Sequence, residues 1–282
     1  MESWIDTAIN NVYLLINSPF SVAFIGSLSG ALGGALGAQR IIEMLKRRDG
    51  LAQEIKNVNA AIVVSFSICN TFIALKKQHI LPITRAYDDS LKALETFNTR
   101  RELGELNERE YFEYEADFKT IGAPSIPLES LKDIVFDRIG SGARVISAVS
   151  EIGVSAEAFS DVLVRREKVI GRMRAQNREE QACSYFGVVR PDGHVDQEYA
   201  DLLDGMSQYS DDVIFFTSLL CEDLMEYGES IVRNNARVKK HLPSVNDVNF
   251  SGKKAKPFMP ERENYLGWLE AFKYEAPSRT VV

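Results

Sequence analysis

Twenty-seven consecutive residues from Val12 to Ala38 carry no formal charge and are dense in glycine, and the run stops at Arg40. A helix needs about 20 mostly apolar residues to cross a hydrocarbon core of roughly 30 Å, and Pro19 to Ala38 supplies that number. The run therefore reads as a membrane anchor, which leaves seven-eighths of the chain to form a soluble body beside a bilayer. With 282 residues, 26% of them charged and 45% hydrophobic, that body is one good-sized domain or two small ones rather than a bundle of many spans.

Charge around the run fixes an expected orientation. Arg40, Lys46, Arg47 and Arg48 follow the anchor directly, opposed by Glu43 and Asp49, whereas the segment before it holds Glu2 and Asp6 and no Lys or Arg. By the positive-inside rule the amino terminus lies outside and the body lies in the cytoplasm. A cleaved signal peptide would require the reverse, a positive segment ahead of the apolar run. The four basic residues form a collar suited to anionic lipid headgroups. Elsewhere the basic residues are dispersed among carboxylates and the net charge is -7, which argues against a general nucleic-acid binder.

Within the anchor, Gly26, Gly30, Gly34 and Ala38 recur every four residues, and Gly33 and Gly37 repeat that spacing one position away. Small residues so spaced stack on one helix face. In lipid, helices gain nothing by hiding apolar surface from one another, so such a face favours association by letting two backbones approach closely, as in the G-x-x-x-G motif. Ser27 and Ser29 offer interhelical hydrogen bonds worth on the order of 1 kcal/mol or less. Self-association of the anchor is the expectation.

A second uncharged stretch runs from Ala60 to Leu75, ahead of Lys76 and Lys77. Two readings stand. It is shorter than the usual minimum of about 17 residues for a span, and Ser65, Ser67, Asn70 and Thr71 interrupt it. Leu51, Ile55, Val58, Ile62, Phe66, Cys69 and Ile73 follow steps of three and four, which favours a buried stripe of a soluble helix over a second leg of a membrane hairpin. Pro82 is expected to end that helix.

The rest reads as mainly α. The charge-dense run from Arg100 to Lys119 suggests a solvated helix face, and Gly122 to Pro127 a turn or short linker. The chain is thereby divided into an anchor segment (1–39), a juxtamembrane collar with long helices (40–121) and a distal helical domain (122–282). Within that domain, helical patterns cover Leu128 to Arg174 and Gln208 to Lys240, the latter with Arg237, Lys239 and Lys240 complementing its carboxyl end. Cys183 to Val189 alternates with aromatic and branched residues. With the turn Arg190-Pro191-Asp192-Gly193 and a return over His194 to Tyr199, it predicts a β-hairpin near 183–199, for which Asn249 to Lys256 is a candidate third strand. The tail from Lys253 to Phe272 mixes lysines with Phe258, Tyr265 and Trp268, which suits either partner docking or a short terminal helix tucked on the domain.

No pattern for catalysis emerges. Gly140-Ser141-Gly142 lacks the later glycine, the Lys-Ser/Thr pair and the preceding strand of a phosphate loop, so it reads as a helix stop and restart. Cys69, Cys183 and Cys221 form no C-x-x-C pair and suit a reducing compartment, with Cys69 and Cys221 as packing residues. His79, His194 and His241 are too scattered to bind a metal together, and Asp192, Asp196, Asp201 and Asp204 read as helix caps and polar loop. The chain is not expected to be an enzyme, nor to hold a metal or cofactor.

On Pro19 to Ala38, the possible span Ala60 to Leu75 and the attached helical body, the layout resembles the small membrane-spanning effectors of bacterial anti-phage systems, including those paired with retron reverse transcriptases. The resemblance implies an inner-membrane location and a cognate cytoplasmic protein or ribonucleoprotein, such as a reverse transcriptase complex, that holds the protein inactive. Release would bring membrane damage through helix assembly. The alternative reading is a membrane-tethered scaffold that localises a cytoplasmic partner.

Overall fold

The computed structural model describes residues 19–107, 110–190, 193–236, 238–250, 252 and 255–272. These residues are mainly helical: α1 (Pro19–Leu75), α2 (Leu81–Glu102), α3 (Leu128–Arg138), α4 (Ala143–Arg174), α5 (Arg178–Phe186), α6 (Glu198–Asn234) and α7 (Leu266–Ala271). Short 3-10 turns lie at Lys239–His241, Lys256–Phe258 and Arg262–Tyr265. Two compact units result, Met1–Gln53 with Asn235–Pro243, and Glu54–Asn234 with Ser244–Val282.

Pro82 does not end the first helix. A proline lacks the N–H for the carbonyl four residues back and its ring crowds that carbonyl, so a straight α-helix would break there. Instead the chain widens into a π-turn at Lys76–Ile80, where the Leu81 N–H reaches the Lys76 carbonyl five residues back, and Pro82 lies in the first turn of α2.

The larger unit is built on the second half of α1. Ile55, Val58, Ala61, Ile62, Ile68, Cys69 and Phe72 are fully buried, while Leu51 and Phe66 sit at the edge of the stripe. Their partners are α4 and α6, which pack along one another and present Val149, Ile152, Phe159, Val213, Ile214 and Leu220 to the shared core. Two thiols mark how closely α1 and α6 approach. Cys69 Sγ donates to the Ile214 carbonyl (3.8 Å) and Cys221 Sγ to the Ile62 carbonyl (3.7 Å). Burial pushes the Cys69 thiol up to about 12 and raises Cys221 as well, so both stay protonated and act as packing groups.

By length and composition, the helix spanning Gly33–Glu102 is apolar enough to cross a membrane, and an 18-residue window of it has a mean hydropathy of 1.9. Yet 44% of that window is buried. Ala60 to Leu75 spends its apolar stripe on α4 and α6, with Phe72 meeting Phe159 edge-on at 5.2 Å.

The β-hairpin near 183–199 is absent, and no strand occurs among the described residues. Capping chemistry outweighs the alternation. The Asn177 side chain accepts the Glu180 N–H (2.9 Å), Glu179 and Glu180 fill the first turn, and Gly187 ends α5 in the left-handed region at φ +65°. Tyr185 and Phe186 are therefore helical and buried among Tyr87, Tyr114 and Tyr199. Of the expected turn only the flanks are described, with Arg190 N–H donating to the His194 carbonyl (2.9 Å) and Gly193 N–H to the Arg190 carbonyl (2.8 Å); Pro191 and Asp192 lie outside the described residues. The proposed third strand is instead irregular chain and a 3-10 turn in its described part. α6 starts ten residues before Gln208 and stops at Asn234; Lys239 and Lys240 fall in a 3-10 turn and Arg237 lies outside the described residues. Asp196 takes the capping role expected of its cluster, accepting the Glu198 N–H at 3.3 Å.

Among its described residues the charge-dense run is not helical beyond Glu102. Residues 110–127 cross the core as an extended strap in which Phe112, Tyr114, Ala116 and Phe118 face inward while Tyr111, Glu113 and Glu115 face out. α4 holds this strap. Buried Arg166 donates to the carbonyls of Lys119 (2.7 Å) and Asp117 (3.0 Å) and to the Tyr199 hydroxyl (3.2 Å), and Arg174 donates to the Phe118 carbonyl (2.9 Å).

Candidate functional site

α1 supplies a regular helix from Pro19, and at 1.5 Å per residue Pro19 to Ala38 is about 30 Å long. No charge interrupts it. Gly26, Gly30, Gly34 and Ala38 lie on one face of this helix, flanked by Gly33 and Gly37. Among the described residues a Cβ placed on Gly30, Gly33, Gly34 or Gly37 would meet open space, so nothing described there spares these glycines a side chain. Nothing local requires so many: glycine in a helix interior costs up to about 1 kcal/mol relative to alanine. The flat face is an expense that local folding does not explain.

The neighbouring side chains sharpen the point. From Ser27 to Arg47 every described side chain is exposed, including Leu28, Leu36, Ile41, Ile42, Met44 and Leu45. Leu36 is 62% exposed and Met44 61%. Burial of each such side chain is worth about 1.5–3 kcal/mol, and this helix leaves them exposed on several faces. Sequence spacing identified the glycines, but not the apolar residues beyond Ala38. Ile41, Ile42, Met44 and Leu45 are interleaved with the collar, a pattern that an uncharged-run criterion stops short of.

The collar residues occupy the following turns. Arg40, Lys46 and Arg47 are exposed, Arg47 donating to the Asn235 side chain (3.0 Å), and Arg48 pairs with Asp49 at 2.8 Å. Long basic side chains behind an apolar helix can bury their stems and leave their charges at headgroup level. The Gln39 amide donates to Glu43 (3.0 Å), the one carboxylate inside the collar.

In the larger unit several charged groups are committed to structure. Arg144 pairs with Asp223 where α4 begins after Gly140-Ser141-Gly142, and Glu54 accepts the Tyr227 hydroxyl beside it. These contacts tie α1, α4 and α6 together at one end of the core. Lys76, turned inward by the π-turn, pairs with Asp211. Sequence reasoning missed Arg166 and Lys76 because a buried cation has no signature in a helical pattern. Comparison with protein-family models, curated proteins and solved structures finds no match.

Proposed function

We propose that this protein is a membrane-anchored, non-enzymatic effector of a bacterial anti-phage system, whose lipid-embedded helix assembles with other copies of itself and thereby disrupts the inner membrane. The observation that carries this reading is the conjunction, on one helix, of an open glycine face with apolar side chains exposed from Leu28 to Leu45. Lipid covers the large residues, and a second helix fits the small ones. The collar of Arg40, Lys46, Arg47 and Arg48 sets the orientation, with the amino terminus outside and the body in the cytoplasm. A cytoplasmic complex, ribonucleoprotein in the retron case that the layout resembles, holds the protein inactive until infection.

Gly30→Ile with Gly34→Ile tests this directly. Two branched side chains on the flat face push partner backbones apart while raising apolarity, so insertion is kept and close packing is lost. Expressed to equal levels in bacterial cells, the unaltered protein is expected to collapse the membrane potential, read with a potential-sensitive dye, and the double variant to leave it intact. Depolarisation that persists unchanged in the variant would overturn assembly through this face. A protein that never depolarises the membrane, yet retains a partner at it, is a tether.

A further inference from the structure

Residues 255–272 form a segment of two 3-10 turns and the six-residue α7, none of whose residues is buried. They nevertheless cover residues that are: Phe215 and Phe216 on α6 are each 5% exposed. The cover is aromatic. Tyr265 stacks on Phe215 with ring centroids 3.7 Å apart and planes 5° from parallel, and Trp268 meets Phe216 edge-on at 5.0 Å.

Around this aromatic pairing runs an acidic rim from α6. Asp212 accepts the Tyr265 hydroxyl (2.8 Å), Glu222 pairs with Arg262 (3.3 Å), and Asp211 pairs with Lys76, which also donates to the Phe258 carbonyl (3.4 Å). The segment's backbone bonds close local turns, as from Phe258 to Ala255 and from Asn264 to Glu261. The preceding chain is pinned separately: Asn59 holds Ser244 and Asn246 through bonds of 2.8 Å, and Phe250 packs on Phe66. A half-exposed segment with local backbone bonds, held to the body by side-chain contacts of Tyr265, Trp268 and Arg262 and by one bond to the Phe258 carbonyl, sits at the low end of local stability, while α4 and α6 sit at the high end.

We propose that residues 255–272 are a lid that opens as a unit while the helical core stays folded, uncovering an acid-rimmed aromatic slot on α6 that receives a basic, aromatic segment of a protein partner. The lid is the slot's resident occupant and displays the chemistry of the visitor: Tyr265 and Trp268 fill the slot, and Arg262 answers the rim. This inference is independent of whether the anchor self-assembles.

Hydrogen exchange on the full chain in detergent micelles, followed by mass spectrometry, reads the opening. Amides of 255–272 are expected to exchange at least about a hundredfold ahead of those in the middle of α4 and α6. Trp268→Ala should speed lid exchange by about tenfold more and leave α4 and α6 unchanged; Arg262→Ala, which breaks only an exposed rim pair, should act on the same amides to a smaller extent. A fluorescent peptide with the sequence of residues 255–272 is expected to bind the Trp268→Ala chain more tightly than the unaltered one. Lid and core exchanging together, acceleration of α4 along with the lid, or no peptide binding to the Trp268→Ala chain would each overturn the proposal.

Discussion

Phe72→Ala is expected to destabilise the helical body by about 3–5 kcal/mol, the cost of emptying a ring-sized space in a core that cannot fully collapse. Phe72 is 0% exposed and its ring lies against Phe159 on α4. The effect separates two roles for Ala60 to Leu75. A ring packed between α1 and α4 is lost at full cost, whereas a ring facing lipid could be trimmed to alanine with little change in the folding of the body. Urea unfolding of the full chain in micelles, followed by far-ultraviolet circular dichroism, measures the difference. A loss below about 1 kcal/mol would return this stretch to the membrane and make the anchor a hairpin.

Arg166→Met is expected to cost about 3 kcal/mol or more. The substitution keeps an unbranched apolar stem but removes three hydrogen bonds from a buried charged donor, each worth about 1.5–3 kcal/mol; the Lys119 carbonyl loses its donor, while the Tyr199 hydroxyl still donates to the Asp117 carbonyl at 3.3 Å. The guanidinium also lies 5.6 Å from the centre of the Tyr199 ring, an attraction that methionine cannot replace. Because Arg166 holds the 110–127 strap rather than a helix, the loss should be visible first as proteolytic cleavage within that strap, before the body unfolds. Wild-type urea stability together with an uncut strap would show that Arg166 is not its clamp.

Much of this architecture is legible in the sequence where one physical signal dominates. The stripe from Ile55 to Ile73 and the α6 stripe of Val213, Phe216, Leu219, Leu220 and Leu224 are legible because burial on one face imposes its period directly on the side chains. The signal fails where two rules compete. Around Cys183 to Val189 an aromatic alternation points to a strand, but Asn177, Glu179, Glu180 and Gly187 cap a helix, and the caps prevail because they satisfy backbone groups that the alternation leaves open. The reverse holds from Glu110 to Lys119. There the density of carboxylates suggests a helix face, and the real period of two, Phe112, Tyr114, Ala116 and Phe118 inward, is masked by the glutamates between them. Pro82 shows a third limit: proline forbids a hydrogen bond, yet a π-turn can omit that bond and keep the axis running.

The glycine face is readable as spacing alone, but its meaning depends on what surrounds it. Gly30 and Gly34 buried in a water-soluble core would carry the same spacing. What distinguishes them is the open space where their side chains would be, and the exposure of Leu36, Ile41 and Met44 around them.

Alkaline carbonate extraction of membranes from cells expressing the full chain shows whether the glycine-faced helix resides in lipid. The protein is expected to stay in the membrane pellet after the wash and to enter solution only with detergent. Quantitative release into the carbonate supernatant as a folded, monodisperse protein would contradict residence in lipid.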